Sequence, residues 1–85
     1  MKRWQVIYDF YCYIDLEDGT IDKKIIENGC FFLSLNRNPL IKITKRFDNC
    51  VSKFIRELEK SISINRKQKI SIKEWNFRWL SSVEV

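Results

Sequence analysis

Any chemistry in this chain has to come from cysteine, carboxylate, tyrosine and basic side chains, because the sequence holds no histidine. That absence removes the commonest general base, the commonest metal ligand and the usual pH switch near neutrality. Cys12, Cys30 and Cys50 include no CxxC pair. A zinc site would lack its fourth ligand, and a cysteine nucleophile would lack an imidazole beside it. Each thiol sits among apolar neighbours, which suits buried free cysteine. The acidic run from Asp15 to Asp22 has the charge of a calcium loop without its spacing: glycine stands fifth rather than sixth, and no glutamate stands twelfth. Gly19 and Gly29 are isolated, so no phosphate-cradling or dinucleotide loop is present. The chain is therefore expected to be no enzyme and to carry no catalytic residue, metal or cofactor.

At 85 residues and 10.4 kDa the sequence is expected to form one domain, 1–85, since two cores of half that size would not hold without metals or disulfides. Hydrophobic residues at 45% and charged residues at 32%, with 2 Gly and 1 Pro, exclude disordered and collagen-like classes. Isoleucine, lysine and asparagine are abundant and alanine is absent, a bias of genome composition rather than of folding physics. An odd number of cysteines and no signal-peptide core after Met1 point to a reducing, cytoplasmic setting. No apolar run approaches the ~18 residues that a bilayer span needs.

Residues 1–36 carry four bases against six acids, and residues 37–85 carry twelve bases against five acids, which together give the net charge of +5. The positive surface thus belongs to the C-terminal part and permits nucleic acid, an anionic membrane surface or an acidic protein as partner.

From Trp4 to Leu16 apolar residues fill every even position, the pattern of a long strand with one buried face. Asp18-Gly19 supplies a hairpin turn, a second strand returns over Ile21–Glu27, Asn28-Gly29 repeats the turn signal, and Cys30–Leu35 reads as a third strand. After a loop around Pro39, Leu40–Thr44 reads as a short fourth. Phe47, Cys50, Val51, Phe54, Ile55, Leu58 and Ile62 then fall on one side of a helix, with Thr44 or Asp48 as its cap. Residues 69–85 fit either a helix with a capping box or a strand. The strand keeps Trp75, Phe77 and Trp79 together at the expense of a bulge at Lys73-Glu74. The expected fold is α+β: an antiparallel sheet of about five strands in the order β-β-β-β-α-β, with one amphipathic helix packed on one face.

With Leu16 paired to Ile21 across the first turn, one face of the sheet collects the even residues of the first strand together with Ile21, Ile25 and Phe32. The other collects Ile7, Tyr11, Tyr13, Ile26, Phe31, Leu33 and Leu35. One helix covers one face. Either the C-terminal Trp segment, a second copy or another macromolecule lies on the second face, or the sheet curls and seals it. Tyr11, Tyr13, Phe31 and Leu33 form the candidate partner-binding aromatic face, and Lys45, Arg46, Lys53, Arg56 and Lys60 a basic face on the outside of the helix.

The function expected from this reading is non-enzymatic binding that occludes a protein partner, as toxin immunity proteins and phage or mobile-element inhibitors of host systems do. An acidic partner surface is favoured, and a homodimer through the sheet face is compatible with it. The alternative is a small basic nucleic-acid-binding protein or repressor using Arg66, Lys67, Lys69, Trp75 and Arg78 for phosphate neutralisation and stacking.

Overall fold

Strict alternation makes the N-terminal segment a strand, β1 (Lys2–Asp15), whose residues Trp4, Val6, Tyr8, Phe10, Cys12 and Ile14 are all buried. In the computed structural model, which describes all 85 residues, β1 is the middle of a three-stranded antiparallel sheet. β2 (Ile21–Leu35) lies on one side of it and β3 (Ser71–Glu84) on the other, in the order β2-β1-β3. The helix α1 (Lys45–Arg66) connects the two outer strands and lies across the face that β1 buries.

α1 forms where the apolar spacing places it. Thr44, extended at φ −106° and ψ 163°, caps its start by accepting the Phe47 N–H at 3.2 Å. At the other end Lys67 turns into the left-handed region at φ 54° and donates its N–H to the Ile64 carbonyl, which stops the helix. Phe47 and Val51 pack on Trp4, Val6, Leu33 and Leu35, while Ile62 packs in the cluster of Phe10, Cys12 and Ile14. The helix therefore runs along β1 in the same direction. Phe31, Phe77 and Trp79 join both clusters, and Phe77 stacks on Trp79 with centroids 4.6 Å apart.

Three strands stand where about five were expected. The second and third expected strands are one, because Asn28-Gly29 makes a bulge in β2 rather than a turn: the register slips between Tyr8 and Phe10, and Asn28 takes φ +52°. The Asp9 carboxylate accepts the Asn28 N–H at 3.0 Å and holds the bulge in place. Leu40–Thr44 is no strand. Asn38 wins that segment by accepting the Leu40 N–H on its side chain at 3.0 Å and the Ile41 and Lys42 N–H groups on its carbonyl, which closes a turn.

The first hairpin differs by one residue from the expected pairing, with a large effect. Asp15, not Leu16, pairs with Ile21, and Leu16–Thr20 form a five-residue loop. In it Gly19 takes φ +85° and Asp18 accepts the N–H of Thr20 at 2.9 Å and its hydroxyl at 2.6 Å. A one-residue slip turns every side chain of a strand to the opposite face. Ile21, Ile25 and Phe32 consequently lie on the face away from the helix, and Ile26, Phe31, Leu33 and Leu35 lie beneath it.

β3 is a strand along its whole length, with the expected bulge: Glu74 has φ +37°, and the register against β1 slips between Cys12 and Tyr13. A second slip falls between Ile7 and Tyr8, at Leu80. Trp75, Phe77 and Trp79 are thereby brought opposite Cys12, Phe10 and Tyr8, on the helix side. The C-terminal Trp segment completes the sheet and does not cover its second face. No helix is long and apolar enough to cross a membrane.

Gly29 is required by packing. It lies opposite Tyr8, and a Cβ there would stand 2.5 Å from the Cζ of that ring and 2.8 Å from its hydroxyl. Gly29→Ala is expected to lower unfolding free energy by about 1–3 kcal/mol through overpacking, measured by urea denaturation. Ser82, opposite Val6, has a buried hydroxyl without a partner. Ser82→Ala should raise stability by about 1 kcal/mol in the same assay, since it removes an uncompensated desolvation.

Candidate binding surfaces

The two layers give the molecule two broad surfaces, back to back. On the outer side of α1, Lys45, Arg46, Lys53, Arg56 and Lys60 are all exposed, as their spacing on the helix requires. Lys53 stands 4.0 Å from Glu57 with both side chains about 70% exposed, a pair of little energetic weight. The other four have no acidic partner within salt-bridge distance. Lys45 and Arg46 occupy the first turn, where the backbone itself presents partial positive charge. Just beyond it a hollow of about 560 Å³ is lined by Lys2, Asn36, Arg37, Asn38 and Lys42 and by no acid. Positive charge thus extends past the end of the helix.

The opposite surface is the open face of the sheet. Tyr11 and Tyr13 meet edge to face at 6.2 Å there, with the Lys23 ammonium 5.2 and 5.7 Å from their rings. Ile21 and Ile25 lie beside them, 68% and 56% exposed. Towards the other end Phe32 lies under the Arg3 guanidinium at 4.7 Å, with Ile7 and Val83 nearby in the register. Between the two groups a depression of about 290 Å³ is lined chiefly by Asp9, Tyr11, Lys23, Glu27, Asn76 and Arg78. Each exposed aromatic ring on this face already carries a cation, an arrangement worth about 0.5–1 kcal/mol at an exposed site.

The expected aromatic face is therefore divided. Tyr11 and Tyr13 lie on the open surface, whereas Phe31 and Leu33 are under the helix, Leu33 at 8% exposure and Phe31 against Tyr8, Phe47 and Trp79. Ile25 and Phe32 take their places. The five-residue loop was the signal for this, since Asp18 and Thr20 carry side chains that close such a turn internally.

The residues set aside for nucleic acid do not converge. Arg66 bonds Asp22, and Lys67 forms the helix terminus. Lys69 donates its N–H to Glu17 at 2.7 Å, which ties the hairpin loop to the start of β3. Trp75 and Arg78 project from opposite faces of β3, as their partners Cys12 and Asp9 show. Phe77 and Trp79 are packed between sheet and helix.

No group of three or more Cys, Asp or Glu side chains converges to hold a metal ion. Burial pushes the Cys12 thiol up and, at the centre of the ring cluster, the Tyr8 hydroxyl up. The Arg66 guanidinium, together with the Lys23 N–H, holds the Asp22 carboxyl below its ordinary value. A carboxylate depressed in the folded state stabilises it above the ordinary aspartate range, and that contribution is lost as pH falls through the lowered value. In an NMR titration, Arg66→Gln should bring the Asp22 midpoint up towards the ordinary range, and Asp22→Asn should flatten the acid limb of the stability curve. Comparison with known proteins finds no family model, no curated protein and no solved structure that matches the chain.

Proposed function

We propose that the chain is a non-enzymatic binding protein that occludes an acidic surface of a protein partner, docking through the outer face of α1. Toxin immunity proteins and phage or mobile-element inhibitors of host systems work in this way, and the reading places this chain among such occluding proteins. The observation that carries it is the separation of charge. Five exposed cations line one side of a 22-residue helix whose other side is locked into the core, and a preformed cationic surface of this kind speeds encounter with an acidic partner and repels a basic one.

The competing nucleic-acid reading needs aromatic platforms beside the phosphate contacts. Trp79 and Phe77 are stacked on each other beneath the helix, the rings on the open face lie on the far side of the molecule from the basic residues of α1, and Trp75, 46% exposed, is the one ring of β3 left accessible on the helix side. A single accessible ring is no run of stacking platforms, and its isolation favours a protein partner over single-stranded DNA or RNA.

Affinity capture from the source cells, with nuclease treatment in a parallel lane, separates the two. The expected partner is a protein retained after nuclease treatment, with association to it slowed at least ~10-fold at low ionic strength by Lys53→Glu, Arg56→Glu and Lys60→Glu combined. Retention on single-stranded DNA or RNA at ~50 mM salt, lost in the same variant, would replace this reading with the nucleic-acid one.

A further inference from the structure

We infer that the open face of the sheet is an interface between two copies of this chain, joined sheet to sheet so that the two basic helices face outward. The proposal stands apart from the docking of α1, since it uses the opposite surface.

Surface area is the first reason. The chain exposes 6055 Å², whereas a compact monomer of its mass exposes roughly 5400 Å². Apolar side chains stand exposed where helix cover is missing: Ile21, Ile25, Phe32 and Val83 are each at least half exposed, and all belong to or border the open face. With extents of 44 × 19 × 19 Å, that face offers on the order of 800 Å², the share each partner contributes to a standard stable interface.

Charge is the second. The outer face of α1 would repel its own copy, but the open face carries Arg3, Lys23, Lys73 and Arg78 against Asp9, Asp15 and Glu27, close to balance. A two-fold interface brings the same patch of both copies together, and a patch with both signs interspersed allows each charge to meet an opposite one. Arg78 and Lys23 share the central depression with Asp9 and Glu27, so the charges at the middle of the interface have opposite charges within reach on the other copy.

The third reason is what the sheet edges exclude. β2 is interrupted by the bulge at Asn28, and β3 by Glu74 and by the slip at Leu80. Bulged edges do not template pairing with another chain, so a second copy meets the face and not the edge.

Sedimentation equilibrium and light scattering between about 1 and 100 µM test this with the chain alone, so failure here is distinct from failure to find a partner for α1. The expected mass is about 21 kDa, twice the 10.4 kDa of the chain. Ile25→Lys with Phe32→Glu should return it to the monomer mass with unchanged far-ultraviolet circular dichroism, while reversal of Lys53, Arg56 and Lys60 should leave the dimer intact. Cys30, exposed and opposite Ile7, provides a readout that needs no substitution: its alkylation should slow as concentration rises, with buried Cys12 as the unreactive reference. A mass of 10.4 kDa at 100 µM, a dimer indifferent to the open-face substitutions, or alkylation of Cys30 independent of concentration would each overturn the proposal.

Discussion

The structure depends on β1 being hydrogen-bonded along both edges while its side chains alternate strictly. A strand in the middle of a sheet cannot rotate or slip without breaking two ladders, so its even residues are held on one side and its odd residues on the other. Six even residues are at most 9% exposed, and α1 covers them. The odd residues have no such cover. The division of the molecule into a closed side and an open side follows from that one strand.

Tyr8 and the rings around it join the two ends of the core. Tyr8 meets Phe31, Phe54 and Phe77 at 5.3–5.6 Å, and Phe31, Phe77 and Trp79 bridge the clusters at either end of the helix. Such ring pairs contribute about 0.5–1.5 kcal/mol each beyond the area they bury, which matters in a chain with 13 buried residues of 85. The same cluster explains the glycine in β2, since the Tyr8 ring occupies the volume that any side chain at Gly29 would need. It also takes in Phe77 and Trp79 of β3, which leaves Trp75, 46% exposed, as the one accessible ring of that strand on the helix side.

Charge follows the same division. α1 carries a majority of cations on its solvent side, with Glu57 beside Lys53, and its position leaves Arg3, Lys23, Lys73 and Arg78 together with Asp9, Asp15 and Glu27 on the open face. A helix that begins with Lys45 and Arg46 works against its own dipole. Thr44 and Asp48 partly offset this through the cap and one carboxylate in the first turn.

Much of this was written in local pattern. Alternation over Trp4–Leu16 specifies β1 without reference to anything distant, and the spacing from Phe47 to Ile62 specifies α1 and its basic outer face. The phase slip between Ile72 and Trp75 marks the bulge at Glu74. Local pattern does not extend to register. Whether Asp18-Gly19 closes a two-residue or a longer turn changes the pairing by one residue, and only the packing of Phe31, Leu33 and Leu35 beneath α1 decides it, because that register buries the larger apolar set. Asn28-Gly29 likewise reads as a turn in isolation. It becomes a bulge because the ring of Tyr8, twenty-one residues away, fills the space above Gly29 while Asp9 holds the Asn28 N–H. Side-chain direction along a strand depends on neighbours brought together by folding, so the composition of the open face was settled by tertiary structure alone.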